Sequence, residues 1–307
     1  MTPRPSSSNP VRALVTGAAR GIGRAIALRL ARDAQLAGGA RLTLADVHEA
    51  ELRTLAEALQ AMGSRANVVA GDLGDPEVPG RLVASALEAF GGLDALVSNA
   101  GIAKPSPLAA CATEDWDRVF AVNTRAPFLL GRAAHAALRT SRGAMVVVTS
   151  ISGTHATSPL GAYSASKAAT LMLVRQMAGE WGPDGIRVNA LSPGLIVTPG
   201  TTAAYADPAV REQREQRVPL HRLGTPEDMA AVAAFLLGPD AAYVTGAELL
   251  ADGGLAQTLM SSLPMGGWQA QIAATPQAAS RLPPLSPSAG GGRTQRPGEA
   301  GSAGALD

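Results

Sequence analysis

The sequence predicts an α/β fold with one doubly wound parallel sheet of about seven strands and helices on both faces. Three observations lead to it. Short apolar runs alternate with helical patterns along most of the chain, a glycine-rich turn joins the first run to the first helical pattern, and the run at 144–149 is almost entirely apolar. An uninterrupted apolar strand is buried on both faces, which is typical of parallel sheets covered by helices. Regular alternation then places successive strands in one sheet through right-handed crossovers.

Each element has a local signal. The first strand, 11–16, leads through the glycine turn into the first helix, and apolar periodicity predicts the rest. The other strands are predicted at 41–46, 66–70, 93–97, 144–149, 187–191 and 247–251, and the other helices at 49–62, 77–90, 113–122, 124–139, 162–181 and between Thr225 and Gly238. Thr225 can cap the last helix, whose first position suits Pro226. The polar segment 198–223 lacks a regular apolar pattern, so we expect a loop that could act as a lid.

We expect one domain at 11–259, with a tail on each side. Residues 1–10 are rich in Pro and Ser, and Pro, Gly, Ser and Ala dominate 260–307. Because such segments cannot bury enough apolar surface to fold, we predict a flexible N-terminal tail and a disordered C-terminal tail. Within the second tail, 263–268 is a stretch that could dock on the domain or on a neighbouring subunit.

Composition excludes several classes of function. The chain has 307 residues, 46% of them apolar, and a net charge of +1. A near-neutral chain gives no reason to expect a nucleic acid or a membrane as partner. Charges or prolines interrupt every apolar stretch before twenty residues, and 1–10 has no signal-peptide core, so we expect a cytoplasmic protein. Cys111 is the only cysteine, which permits neither an internal disulfide nor a thiolate metal site, and no metal is expected.

The turn after the first strand predicts a dinucleotide site. Gly17, Gly21 and Gly23 have the spacing G-x-x-x-G-x-G. Glycines in this context allow a tight turn, close approach of a pyrophosphate to the backbone, and helix amides directed at the anion.

Charged residues at the strand ends bear on the choice of cofactor. Asp46 can accept hydrogen bonds from the adenosine ribose and would repel a 2′-phosphate, which favours NAD. Arg20 could pair with that phosphate, which favours NADP. We give Asp46 more weight and expect NAD. Asp72 is a candidate acceptor for the adenine amine.

Three further residues predict a proton-transfer centre. Tyr163 and Lys167 are four residues apart in a predicted helix and therefore share one face, and Ser150 follows a predicted strand. A free phenol has a pKa of about 10. A nearby ammonium lowers that pKa towards the working pH of a general acid or base. The chain has only two lysines, Lys104 and Lys167, beside two dozen arginines. Because lysine and arginine are not interchangeable, a lysine at 167 indicates that this position needs an amine.

In order and spacing these residues closely resemble the short-chain dehydrogenase/reductases, NAD(P)-dependent oxidoreductases with a Rossmann-type fold. The resemblance covers roughly residues 11–255, and its visible departure is Ser98, where the family usually has Asn. The motifs that carry it are Thr16-Gly17-x-x-x-Gly21-Ile22-Gly23, Ser98-Asn99-Ala100-Gly101, Asn123, Ser150, Tyr163-x-x-x-Lys167 and Pro193-Gly194-x-x-x-Thr198.

The resemblance implies hydride transfer between a nicotinamide and a substrate carbon that bears oxygen. Tyr163 is then the general acid/base, tuned by Lys167, Ser150 binds the substrate oxygen, and Asn123 holds a water relay behind the lysine. The motifs and the resemblance together give the candidate cofactor-binding residues Gly17, Arg20, Gly21, Ile22, Gly23, Asp46, Asp72, Leu73, Asn99, Ala100, Gly101, Tyr163, Lys167, Pro193, Gly194, Ile196 and Thr198.

The substrate stays open. Ser152 and His155 are candidates, because the family builds its substrate pocket in this part of the chain. We expect a small secondary alcohol, polyol or sugar, or the matching ketone. The alternatives are a 3-oxoacyl-thioester reductase, whose relatives tend to have a basic residue about where Gly179 stands, and a non-catalytic NAD-binding regulatory protein. The helices at 124–139 and 162–181 are rich in small residues, and the resemblance implies that they form the interface of a homodimer or homotetramer.

Overall fold

Seven parallel strands form one sheet in the computed structural model, which describes residues 11–258. The strands are β1 Arg12–Thr16, β2 Arg41–Asp46, β3 Arg65–Ala70, β4 Ala95–Ser98, β5 Ala144–Val148, β6 Arg187–Pro193 and β7 Glu248–Ala251. They lie in the order β3-β2-β1-β4-β5-β6-β7, and all neighbours pair in parallel. The predicted doubly wound sheet is confirmed. The predicted tails, 1–10 and 260–307, lie outside the described residues.

Helices cover both faces of the sheet. They are α1 Gly21–Asp33, α2 Glu49–Ala61, α3 Val78–Phe90, α4 Thr113–Phe120, α5 Ala126–Ser141, α6 Tyr163–Trp181, α7 Pro208–Arg217 and α8 Pro226–Leu237. One core lies between the sheet and α1, α2 and α8, and a second lies between the sheet and α3, α5 and α6. Between residues 11 and 258, no helix is long and apolar enough to cross a membrane.

Strand β5 shows how the sheet separates the two cores. Val146 and Val148 belong to the core beneath α1 and α8, whereas Met145 and Val147 belong to the core beneath α5 and α6. Each of the four is at most 6% exposed. Because successive side chains of a strand point to opposite faces, a strand between two helix layers must be apolar at every position. This requirement made 144–149 recognisable in the sequence.

The sheet changes direction between β1 and β4. The chain proceeds from β1 to β2 on one side of the sheet and from β4 to β5 on the other. The carboxyl ends of β1 and β4 therefore border a crevice, which is the usual ligand position in such sheets. Thr16 Oγ1 joins the two ends, since it accepts from the amides of Asn99 (3.0 Å) and Ala100 (3.2 Å) and donates to the carbonyl of Val97 (3.3 Å).

The helix boundary predicted at residue 123 was wrong. A π-helical turn, Ala121–Arg125, joins α4 to α5 without a break. Asn123 and Thr124 look like a boundary in the sequence because they are polar, but their side chains bind neighbouring elements. Asn123 pairs with the backbone of Ile102, and Thr124 Oγ1 donates to the carbonyl of Ser166 (3.0 Å). These lateral bonds offset the irregular bonding inside the turn.

The prediction of an irregular loop at 198–223 was also wrong. The segment contains a 3₁₀ turn, Thr202–Tyr205, and α7, whose start is capped by Asp207 through a bond from the amide of Ala209 (2.9 Å). No residue of α7 is buried. A helix without a buried face has no apolar stripe, so periodicity cannot distinguish it from a loop.

Candidate active site

Three glycines allow the backbone between β1 and α1 to pack closely. Gly17 and Gly21 have φ angles of +63° and +56°, a region that residues with side chains rarely adopt. A Cβ on Gly23 would overlap the carbonyl oxygen of Gly17. Asn99 fixes the turn, because its Nδ2 donates to the carbonyls of Thr16 (3.0 Å) and Gly17 (3.1 Å). The turn therefore presents bare backbone and the first amides of α1, an arrangement suited to a pyrophosphate.

A cleft of about 340 Å³ adjoins this turn at the carboxyl ends of β1 to β4. Predicted cofactor-binding residues that line it are Gly17, Arg20, Asp46, Asp72, Leu73, Asn99, Ala100 and Gly101. Lining residues that the sequence did not single out are Ala45, Val47, His48, Gly71, Ile102, Arg118 and Val122. Most of these adjoin predicted residues in the chain and could have been found from the strand ends. Arg118 and Val122 come from the helix across the cleft, and no sequence signal marked them.

The carboxylate of Asp46 is held by backbone amides. Its Oδ2 accepts from the amide of Ala19 (3.1 Å) and its Oδ1 from the amide of His48 (3.2 Å). Arg20, the competing cation, lies 3.6 Å from the carboxylate of Glu51. This end of the cleft thus combines a carboxylate held by two amides with a cation that lies close to an acidic side chain.

Asp72, the candidate partner of an adenine amine, has a cationic neighbour. Nη2 of Arg118 lies 2.7 Å from both of its carboxylate oxygens, and the amide of Gly74 donates to Oδ1 (2.9 Å). The hydrogen bond from Arg118 is the main cause that lowers the pKa of Asp72, and the bond from Gly74 is the next. The carboxylate is therefore ionised at neutral pH.

Ser150, Tyr163 and Lys167 lie together where β5 ends and α6 begins. The side chain of Ser150 lies close enough to Tyr163 to lower the pKa of the phenol, and its Oγ accepts from the amide of Ser152 (3.1 Å). Lys167, one helical turn after Tyr163, has its Nζ 5.6 Å from the centre of the tyrosine ring and donates to the carbonyl of Val148 (3.0 Å). Lys167 is only 3% exposed. The sequence therefore identified a group of side chains that the fold does bring into contact.

The pKa of Tyr163 differs from the expectation. Burial raises it above the usual 10.0, and the nearby hydroxyl of Ser150 lowers it by less. We expected Lys167 to lower this pKa, but burial and Ser150 are the two causes of the shift, and burial prevails. Burial also lowers the pKa of Lys167 to about 8. Lys167 therefore begins to lose its charge just above neutrality.

Asn123 lies in the π-helical turn, close to the lysine. It exchanges two bonds of 2.9 Å with the backbone of Ile102, and its Nδ2 also donates to Ser166 Oγ (3.0 Å). A Cβ on Gly101 would lie 3.3 Å from Lys167 Nζ and 3.4 Å from Asn123 Oδ1. Both polar groups therefore border the same glycine, and any larger residue there would press on them.

The chain that leaves β6 reaches the glycine turn. Pro193 is the last residue of β6, Gly194 follows it, and Ile196 is buried. A Cβ on Gly21 would lie 3.4 Å from Cβ of Thr198. The predicted cofactor residues on both sides of the crevice are thus neighbours in space.

Ser152 and His155 do not line the cleft. Ser152 is buried, and its hydroxyl lies 2.8 Å from Thr157 Oγ1. His155 is exposed, with its Nδ1 3.0 Å from Thr154 Oγ1. Their part in substrate binding stays a prediction. In the part of the chain that the structure describes, no three His, Cys, Asp or Glu side chains form a group that could hold a metal ion.

Several known proteins are similar to this chain. The family model described as enoyl-(acyl carrier protein) reductase matches residues 17–256. A short-chain dehydrogenase/reductase of Hericium erinaceus is 38% identical over 79% of this chain and 96% of its own length. An L-rhamnose 1-dehydrogenase (NAD(P)(+)) of Sphingomonas sp. is 39% identical over 79% of this chain and 94% of its own. A crystal structure from Beutenbergia cavernae, provisionally named an NAD(P)-dependent gluconate 5-dehydrogenase and containing NADP at low occupancy, is 36% identical, with a TM-score of 0.75 over 81% of this chain and 98% of its own.

The buried amine of Lys167 gives a test of the site's energetics. We predict that Lys167→Met raises the free energy of unfolding by about 2 kcal/mol near neutral pH. A pKa lowered from 10.5 to about 8 corresponds to roughly 3 kcal/mol against the charged form. The lost bond to Val148 subtracts about 1 kcal/mol.

The gain in stability from Lys167→Met should depend on pH. The pKa of Lys167 is lower in the folded state, so between about 8 and 10.5 the unfolded state binds more protons and wild-type stability rises with pH. The difference in the free energy of unfolding between variant and wild type should therefore shrink as the pH rises from about 8 to 10.5. Urea denaturation at neutral and at alkaline pH measures this difference. Lys104→Met, at a half-exposed lysine, is the control and should change little. A Lys167→Met protein less stable than wild type at neutral pH would contradict the argument.

Proposed function

Because the chain belongs to the short-chain dehydrogenase/reductase family of NAD(P)-dependent oxidoreductases acting on CH–OH and C=O groups, we propose that it interconverts a small secondary alcohol and its ketone. We assign a polyol or sugar as the substrate class. The observation that carries the proposal is the meeting of Ser150, Tyr163 and Lys167 at the end of β5, beside the Gly101 backbone that lines the cleft.

The residues present fit a nicotinamide dinucleotide. The glycine turn leaves bare backbone at the start of α1, where Gly23 packs against the carbonyl of Gly17, and the adjoining cleft is lined by Gly17, Asp46 and Asp72. We assign the pyrophosphate to the turn, the adenosine ribose to Asp46, and the nicotinamide end to Lys167 and Thr198. When bound, the dinucleotide supplies or accepts the hydride.

Tyr163 is the proton donor or acceptor in this proposal. In reduction its hydroxyl donates to the substrate carbonyl oxygen, while Ser150 donates a hydrogen bond to the same oxygen as negative charge develops there. The raised pKa of Tyr163 keeps its proton in place at neutral pH. In oxidation the phenolate accepts the proton of the alcohol, and the charged form of Lys167 stabilises that phenolate.

Support for a sugar-type substrate comes from relatives named as L-rhamnose and gluconate dehydrogenases. Reduction of a 3-oxoacyl thioester is the alternative, and the description of the matching family model mentions an acyl carrier protein. Such a carrier is acidic and needs a basic docking surface. Gly179, where carrier-linked reductases tend to have a basic residue, is exposed on α6 and has no side chain. This position favours a small, free substrate.

We propose NAD as the preferred cofactor. The Asp46 carboxylate is fixed by two amides, and Arg20, a cation that lines the same cleft, lies 3.6 Å from the carboxylate of Glu51. One relative is named for both cofactors and one crystal structure contains NADP, so a preference has to come from this chain's own residues. Asp46 is the residue that would enforce it.

We further propose that the protein self-associates through α5 and α6. Phe128 on α5 and Met172 on α6 are 40% and 59% exposed. Phe128 also lines a shallow depression with Phe120 and Leu173. Large apolar side chains on adjacent helices are covered when two copies meet, so a dimer or tetramer follows.

Tyr163→Phe tests the proposed chemistry. Loss of a general acid/base costs roughly 10²- to 10⁴-fold in kcat, whereas NADH binding should be nearly unchanged because the hydroxyl alone is removed. Activity is measured on polyols, sugars, simple alcohols and a 3-oxoacyl thioester. Tyr243→Phe, at a fully exposed tyrosine, is the control. Undiminished turnover in Tyr163→Phe would refute the mechanism, and a thioester preferred to every alcohol would support the alternative.

Asp46→Asn tests the choice of cofactor. Wild type should show a higher kcat/KM with NAD than with NADP. Removing one negative charge near the 2′-phosphate should raise kcat/KM for NADP by about tenfold, equivalent to about 1.4 kcal/mol. Asn retains an oxygen for one of the two amides that Asp46 binds, so the melting temperature should change little. A wild-type enzyme that prefers NADP would contradict the weight given to Asp46.

Phe128→Asp tests the proposed interface. A carboxylate buried between two subunits without a partner is unfavourable, so the variant should have a lower mass than wild type by light scattering. Leu36→Asp replaces another large apolar side chain, which is fully exposed and lies outside α5 and α6, and it should leave the mass unchanged. A monomeric wild type would refute self-association.

A further inference from the structure

Two arginines hold the loop between β3 and α3. Nη2 of Arg118, on α4, lies 2.7 Å from each carboxylate oxygen of Asp72. Nη2 of Arg125, in the π-helical turn, donates to the carbonyl of Gly74 (2.5 Å). Of these two arginines, Arg118 lines the cleft, whereas Arg125 lines the shallow depression beside Phe128. The two side chains thus bind the same loop but differ in what they present to a ligand.

The position of Arg118 depends on a glycine in that loop. A Cβ on Gly74 would overlap Nη1 of Arg118, so the guanidinium lies against the bare Cα. The amide of Gly74 also donates to Oδ1 of Asp72 (2.9 Å). Gly74 therefore contributes a hydrogen bond to the carboxylate and leaves room for the cation that binds it.

The hydrogen bonds leave the two oxygens of Asp72 unequal. Oδ1 accepts from both Arg118 and Gly74, whereas Oδ2 accepts from Arg118 alone. An ionised carboxylate can only accept hydrogen bonds, about two at each oxygen. Oδ2 therefore retains an acceptor position in a residue that lines the cleft. An exocyclic amine on a purine can donate to it, and a carbonyl at the same place on the ring would be repelled.

We propose that Arg118 determines the specificity of the cleft for the purine of the dinucleotide: by holding the Asp72 carboxylate with one acceptor position left, it selects adenine over hypoxanthine, which has a carbonyl in place of the amine. This inference rests on the proposed function, because it requires that the cleft bind a dinucleotide. Arg118 acts through Asp72 and is thus a positioning residue. The lowered pKa of Asp72 agrees with a carboxylate that stays an acceptor throughout the neutral range.

The test compares NADH with the reduced nicotinamide hypoxanthine dinucleotide. Each is titrated into the full-length protein, and Kd is obtained from cofactor fluorescence without turnover. Wild type should bind NADH about five- to tenfold more tightly, a modest ratio because Arg118 and Asp72 are 41% and 49% exposed and a hydrogen bond in contact with water is weakened. In Arg118→Met the ratio should fall below about twofold, mainly through weaker NADH binding.

Two further variants separate a specific effect from general disturbance of the loop. Gly74→Ala displaces the guanidinium without removing it and should lower the ratio in the same direction. Arg125→Met removes an arginine from the same loop, with the same change of charge and no contact with Asp72, and should keep the wild-type ratio.

The outcomes distinguish this inference from the proposed function. A wild-type ratio near one, or an unchanged ratio in Arg118→Met, would overturn the inference while dinucleotide binding stood. An equal fall of the ratio in Arg125→Met would overturn it too, because the effect would then belong to the loop. Failure of wild type to bind either dinucleotide would overturn the proposed function itself.

Discussion

The bonds that join the carboxyl ends of β1 and β4 are the constraint on which the rest of the site depends. Thr16 Oγ1 binds the amides of Asn99 and Ala100, and Asn99 Nδ2 binds the carbonyls of Thr16 and Gly17. Buried polar groups that satisfy one another in this way specify a single arrangement. They fix the glycine turn on one side and the Ala100–Gly101 backbone on the other. Because Gly101 borders both Asn123 and Lys167, the same bonds locate the candidate catalytic end of the crevice.

A continuous helix relates the two ends of the crevice. Arg118 on α4 reaches the Asp72 loop, and Asn123 in the following π-helical turn binds Ile102 and Ser166. π-Helical turns inside α-helices often occur at functional sites, where they direct groups that a regular helix would bond internally. Here the carbonyl of Asn123 accepts from Thr170 Oγ1 (2.8 Å) on α6. The turn therefore ties the helix to the element that carries Lys167.

Sequence patterns predicted those features that follow from periodicity or local hydrogen bonds. All seven strands were found, and the start of α8 was recognisable because Thr225 and Asp228 cap each other within four residues. Sequence patterns did not predict features that depend on burial or on contacts with residues distant in the chain. The helix α7 has no buried face, the π-helical turn depends on partners at residues 102 and 166, and Arg118 meets Asp72 across 46 positions of sequence. The motifs identified Ser150, Tyr163 and Lys167 as a group, but the pKa shifts of Tyr163 and Lys167 arise from burial, which no motif encodes.

Burial of Lys167 lowers the stability of the folded protein but favours the proposed chemistry. Among the described residues, Nζ of Lys167 donates to the carbonyl of Val148 and lies near the ring of Tyr163, and no ion pair joins it to a carboxylate. The resting protein therefore holds a cation whose charge is disfavoured by its surroundings. The same surroundings disfavour the tyrosinate of Tyr163, and each charge would be the other's closest counter-ion. A phenolate at Tyr163 would therefore offset part of the burial cost of the Lys167 ammonium, and the ammonium part of the cost of the phenolate. A carboxylate partner for Lys167 would remove the cost to stability, but it would also satisfy the cation before any phenolate formed.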